Sequence, residues 1–173
     1  MRNPELLFRG SPRKDASLFV PKERVGSGSS ERLVVSASPD RSVATKFVVP
    51  IENLNVTVGS FGEIQYYVCD NEQSFRETDK GGGIYTLRRD GFEFNSGVGV
   101  WTSLRPVEPI SKEEVTSGLN AMIDAGIQVF FVDPETFKRI KESSDNGLEI
   151  LRNAISENMK QNKNVKFLPN SLS

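Results

Sequence analysis

Leu7-Phe8-Arg9-Gly10-Ser11 and Val34-Val35-Ser36-Ala37-Ser38-Pro39-Asp40 are the two stretches whose reading decides the fold. Each is a short apolar run, the signature of a buried strand, that ends in polar residues. The first ends in an arginine followed by a glycine, the second in two serines one residue apart. An arginine at a strand end suits an anion, because its planar fork binds phosphate bidentately. A glycine beside it lets a ligand approach the backbone closely. After the second run, Ser38 reads as a helix N-cap with Pro39 at the first helical position and Asp40 beside it. Val43, Ala44 and Phe47 supply that helix with an apolar face.

The elements that follow are mixed. Asn55–Val58 and Gly62–Cys69 read as strands around Gly59-Ser60-Phe61-Gly62, and Ile84–Leu87 as a strand after the run Asp79-Lys80-Gly81-Gly82-Gly83. That run lacks a following Lys-Ser/Thr pair and helix, so it is a hairpin connection and no P-loop. Phe92 and Phe94 alternate with Glu93, and Val100-Trp101-Thr102-Ser103 is a further strand. Ser111 and Glu114 have the spacing of a capping box, which predicts a helix over Ser111–Ala125 with Val115, Leu119, Met122 and Ile123 on one face and Gly126 as its stop. Ile127–Val132 is a strand, Pro134 opens a helix carrying Phe137 and Ile140, and a final helix aligns Leu148, Leu151, Ile155 and Met159. Val165, Phe167 and Leu168 suggest an edge strand in the tail. Strands with few helices between them make this an α+β fold with a split, mostly antiparallel sheet and a few flanking helices. The expected organisation is a single domain over 1–173, with a core at about 6–110 and a helical C-terminal part at about 111–161.

The bulk numbers restrict the function classes. With 173 residues and 36% apolar content, the chain can build one ordinary core and offers no membrane span. The net charge is 22 − 23 = −1, which recommends neither nucleic acid nor an anionic membrane as partner. Residues 1–50 hold nine Arg or Lys against five acids, a local +4, so the basic part contains both opening stretches. The loop over 12–32, centred on Gly26-Ser27-Gly28-Ser29-Ser30, is long enough to overhang a site between them. One cysteine, Cys69, lies in an apolar run and reads as a buried structural thiol in a reducing compartment. Met1-Arg2-Asn3-Pro4-Glu5 lacks the apolar region of a signal peptide, which points to a cytoplasmic protein. With no histidine, every His-based triad, metal site or general base is excluded.

The Arg-Gly strand followed by the Ser-x-Ser strand resembles the front half of the ADP-ribosyltransferase fold, over roughly residues 6–103. The resemblance implies NAD as cofactor and, if the site is active, transfer of ADP-ribose to a protein acceptor or hydrolysis of NAD. It assigns Arg9 to the phosphate side of NAD and Ser36 to bracing the site and the nicotinamide ribose. Ser38 matches the second serine, with Ala37 in place of the central threonine. Gly10, Ser11 and Tyr85 complete the expected cofactor contacts. The family's catalytic glutamate should stand just before Trp101, where this chain has Val100. Cleavage through an oxocarbenium-like state needs a carboxylate, and Glu93 and Glu108 are the nearest substitutes. The chain therefore reads as an active enzyme with a displaced glutamate, or as a catalytically inactive relative that binds a nucleotide or a protein. An unrelated α+β interaction domain is a third reading.

Overall fold

A computed structural model describes residues 4–26, 31–143, 147–160 and 165–168. In chain order the first elements are β1 (Leu6–Ser11), β2 (Glu23–Val25), β3 (Arg32–Ala37), α1 (Arg41–Thr45), β4 (Val56–Phe61), β5 (Ile64–Cys69) and α2 (Glu72–Thr78). There follow β6 (Gly82–Arg88), β7 (Glu93–Asn95), β8 (Val100–Ser103), β9 (Ser111–Val115), α3 (Gly118–Asp124), β10 (Gln128–Val132), α4 (Pro134–Glu142), α5 (Leu148–Lys160) and β11 (Val165–Leu168). The class is α+β with mostly antiparallel pairing, as expected. The chain forms two compact units that interleave along it: residues 1–48 with 81–116, and 49–80 with 117–173. Among the described residues no helix is long and apolar enough to cross a membrane.

The first unit is built from two antiparallel sheets, β1-β6-β9 and β2-β3-β8-β7. A single bridge, Phe8 with Ser38, joins β1 to the end of β3 through reciprocal backbone hydrogen bonds of 2.7 and 2.9 Å. The strands at Leu6–Phe8 and Leu33–Val35 are thus neighbours, as their polar ends suggested. Strand alternation sends Leu7, Val35, Ala37, Tyr85, Leu87 and Trp101 to one side, where they form a core with Phe19 and Phe92.

The second unit is a four-stranded sheet in the order β11-β10-β5-β4. β5, β10 and β11 run parallel, and β4 is antiparallel to β5. Parallel strands are covered on both faces, and every residue of β10 is buried. Tyr66, Val68, Phe130 and Val132 meet Phe137 and Ile140 of α4 and Leu151 of α5. On the other face Tyr67, Cys69, Val129 and Phe131 meet Phe75 of α2 and Leu119 and Met122 of α3. Cys69 is fully buried, and burial raises its thiol pKa, in keeping with a structural role. The tail segment at Val165–Leu168 does add an edge strand, parallel to β10.

Several local expectations are corrected. The helix foreseen over Ser111–Ala125 is instead a strand, β9, followed by a shorter helix, α3. Ser111–Val115 finds a ladder on β6, which outweighs the local capping pattern. The true cap is Ser117, whose hydroxyl accepts from Asn120 N at 3.2 Å. Asp79 reinforces it, its carboxylate accepting from Ser117 Oγ, Gly118 N and Leu119 N at 3.1, 2.7 and 3.0 Å. The helix after β3 is capped by Asp40, not Ser38, and Phe47 is 38% exposed rather than buried. The glycine run is not a hairpin: Gly82 and Gly83 open β6, and Asp79-Lys80-Gly81 connects it to α2, an unforeseen helix. Gly59, Ser60 and Phe61 belong to β4, and the turn is Gly62-Glu63 alone, with Gly62 at φ +58°. Of the loop foreseen over 12–32, Glu23–Val25 is a strand, and Ser27–Ser30 lie outside the described residues.

Removing the α3 cap should be measurable by chemical denaturation. Ser117→Ala is expected to cost about 1 kcal/mol, and Asp79→Ala about 2–3 kcal/mol because three donors lose a charged acceptor. Ser111→Ala, in an exposed strand position, should change stability by no more than about 0.5 kcal/mol.

Candidate functional site

Arg9 lies at the seam between the two sheets of the first unit. β2 pairs with β3 over Arg32–Val34, and β1 touches the same edge of β3 only at Ser38. The Ser36 carbonyl falls between these contacts, and Arg9 Nη1 donates to it at 2.7 Å. Arg9 Nη2 donates to Glu23 Oε1 at 2.5 Å, and the guanidinium sits 5.1 Å from the ring centroid of Phe19. The arginine side chain is 22% exposed. The loop foreseen as overhanging the site therefore covers it, through Phe19 and Glu23.

The neighbours of Arg9 are more committed to the fold than the strand pattern implied. A side chain on Gly10 would meet the Ala44 carbonyl oxygen at 1.9 Å, so the missing side chain admits α1 rather than a ligand. Ser11 is buried, with its hydroxyl accepting from Arg13 N at 3.2 Å. Tyr85 is fully buried; its hydroxyl donates to Arg13 O at 2.6 Å and accepts from Ala16 N at 3.0 Å. It has no surface to offer a cofactor. Ser38 Oγ accepts from Asp40 N at 3.1 Å, a local turn that precedes the helix cap.

The opposite face of the β3-β8-β7 sheet gathers a different set. Ser36 pairs with Thr102, and Thr102 pairs with Glu93, so these three residues form one cross-strand row. Continuing the same register sets Ser38, Val100 and Asn95 in the next row. None of the six is buried, whereas Val35, Ala37, Trp101 and Ser103, which alternate with them, are. Adjacent strands are about 4.8 Å apart, so the backbones of Ser36 and Glu93 lie about 10 Å from one another. A glutamate side chain spans part of that distance. Val100 stands in the middle of this polar face, with hydroxyls and an amide on either side. Glu108 is exposed beyond β8, next to Val107, which bridges to Phe19; it is not part of either row. Thr102 and Asn95 escaped the sequence reading, although the alternation of Val100-Trp101-Thr102-Ser103 was a usable signal for the first.

A second concavity lies in the second unit, about 370 Å³ in volume, lined by Glu52, Asn55, Asp70 and Asn71 among others. No cation lines it, and the carboxylates Glu52 and Asp70 disfavour an anion there. Lys46 of the first unit is almost wholly buried, and burial lowers its amine pKa to about 8, partly offset by the Asp40 carboxylate. Among the described residues no group of acids, cysteine or histidine has metal-binding geometry. Comparisons with family models, curated proteins and solved structures return no match.

Two outcomes follow from this geometry. Arg9→Ala should cost about 2–3 kcal/mol of stability, because it leaves the Ser36 carbonyl without its donor; Glu23→Ala, whose carboxylate is 40% exposed, should cost about 1 kcal/mol or less. Lys46 binds fewer protons folded than unfolded between its lowered value of about 8 and its ordinary 10.5. Stability should therefore rise as pH goes from about 8 to 10.5, and in a Lys46→Met variant this rise should be absent from denaturation curves.

Proposed function

We propose that the first unit is an ADP-ribosyltransferase-like nucleotide-binding module, with its site on the face carrying Ser36, Ser38, Thr102, Asn95 and Glu93. The observation that carries this reading is the row Ser36–Thr102–Glu93, which sets a carboxylate and two hydroxyls on one accessible surface, while Arg9 on the other side of the sheet holds the Ser36 backbone carbonyl. Ribose hydroxyls are matched by such a row. Arg9, at the seam on the other side of the sheet, could take an anion only in competition with Glu23. NAD is the nucleotide the motif order suggests.

Turnover is slow or absent in this reading. Val100 shares the face with Ser38 and Thr102 but can stabilise no positive charge at the ribose carbon. Any residual cleavage falls to Glu93, whose position at the far end of the row is less favourable than that of Val100. Glu108 is the weaker substitute, being outside both rows.

Calorimetry with NAD and a nicotinamide-release assay test this. NAD should bind the wild type, and Glu23→Gln should bind it several-fold more tightly because Arg9 loses its internal anion. Val100→Glu should raise nicotinamide release by at least about tenfold, since a placed charge contributes roughly 1.4 kcal/mol or more to the barrier. Glu93→Gln should remove what release the wild type has. Absence of NAD binding in both the wild type and Glu23→Gln discards the nucleotide reading.

A further inference from the structure

The outer edge of β4 is a second feature with a functional consequence, independent of the nucleotide reading. Asp70 N donates to Asn55 O at 3.4 Å, and Asn55 and Asp70 lie opposite one another in the register of β4 with β5. Backbone direction alternates along a strand. Thr57, Gly59 and Phe61 therefore direct their N–H and C=O groups toward β5, and Val56, Val58 and Ser60 direct theirs away from the sheet. Among the described residues these outward groups have no partner.

Exposed edges are ordinarily guarded by charge, proline, brevity or a bulge. Among the described residues the other outer strands follow that rule, and β1, which carries Arg9, has Phe8 on its free edge bridged to Ser38. β9 carries Lys112, Glu113 and Glu114; β2 and β7 are three residues long and hold Glu23, Arg24 and Glu93; β11 has Lys166 at its second position. β4 is the exception: Val56-Thr57-Val58-Gly59-Ser60-Phe61 has six residues in continuous register, no charge and no proline. Val56 and Val58 pack against the core formed by Tyr67, Cys69 and Val129, yet both are only partly buried. The core layer is open at this edge.

We propose that β4 pairs antiparallel with β4 of a second copy of this chain, about a two-fold axis at Val58, so that the two sheets become one. The occupant follows from self-complementarity. With the axis at Val58, that residue faces its own counterpart, and Val56 faces Ser60 of the second copy. Each outward N–H then meets an outward C=O, giving about six hydrogen bonds, two for each of three paired positions. The strand carries no charge, so self-pairing opposes no like charges. The half-covered Val56 and Val58 gain the second copy's Val58 and Val56 as neighbours, which closes the open layer. A single strand pair buries less than the roughly 1,600 Å² of a standard interface, so the dimer is concentration-dependent rather than permanent.

Sedimentation equilibrium on the full chain, from micromolar to submillimolar concentration, tests the proposal. The wild type should shift from monomer to a discrete dimer. Val58→Pro removes an outward N–H without touching the β5 ladder and should weaken dimerisation at least tenfold. Val58→Lys and Val58→Glu chains should each be monomeric alone, since like charges face each other across the axis, and should form a heterodimer when mixed. That rescue separates a lost interface from a damaged fold. A wild type that stays monomeric, a dimer unaffected by Val58→Pro, open-ended aggregates in place of a dimer, or a Lys/Glu mixture that stays monomeric would each overturn it.

Discussion

The first unit depends on one interaction, the insertion of Arg9 into the split between its two sheets. β1 and β2 both approach the same edge of β3 and leave the Ser36 carbonyl uncovered between them. Unpaired backbone acceptors away from water cost about 1–3 kcal/mol. The guanidinium is long enough to bridge the gap, planar enough to lie on Phe19, and charged, so it also gathers Glu23. The three-residue strand β2 is held by its ladder on β3, and the Arg9–Glu23 pair adds a side-chain tie to it. The motif that looked like a ligand site is therefore first a joint.

How much of this was legible depended on whether the information was local. The strands at Leu6–Phe8, Leu33–Val35 and Ile127–Val132 announce themselves as apolar runs with polar ends. The helix at Pro134 carries its cap, its proline and its Phe137–Ile140 stripe within one short segment, and was readable for that reason. Gly126, at φ +77°, is a stop that only glycine fills without strain. The failures were of another kind. Ser111-Lys112-Glu113-Glu114 has a capping box in sequence, yet its backbone belongs to a ladder with Gly82–Thr86, about thirty residues earlier. No local pattern carries that partner. The helix at Glu72–Thr78 was missed although Asn71 caps it and Glu72 pairs with Arg76 one turn on; a single buried Phe75 gave too little periodicity to detect. Gly10 was read as room for a ligand because the strand alone cannot say that Ala44 occupies the space.

The site was partly legible in the same sense. Ser36 and Ser38 lie on an accessible face, as an alternating strand requires. Their partners Thr102, Glu93 and Asn95 come from two later strands, and only the register brings them together. Tyr85 was misplaced because a tyrosine in a strand has two possible faces, and its fate was decided by backbone groups at Arg13 and Ala16, far away in sequence.

The two sheet systems use their surfaces differently. In the second unit, side chains of α4 and α5 pack on one face and those of α2 and α3 on the other, leaving strand ends and one edge accessible. In the first unit the β3-β8-β7 sheet puts Val35, Ala37, Trp101 and Ser103 in the core and leaves Ser36, Thr102 and Glu93 accessible on the other face. A polar sheet face needs no more explanation than solvent, except where its composition departs from solvation. Val100 is that departure: a β-branched residue placed between Ser38 and Asn95, favourable for the strand and useless for charge. A valine at this position serves the backbone and the register and supplies no charge. On the reading proposed above, the hydroxyls of this face serve binding and its one carboxylate, Glu93, stands at the far end of the row from Ser36, so binding and cleavage would be separable properties of one surface.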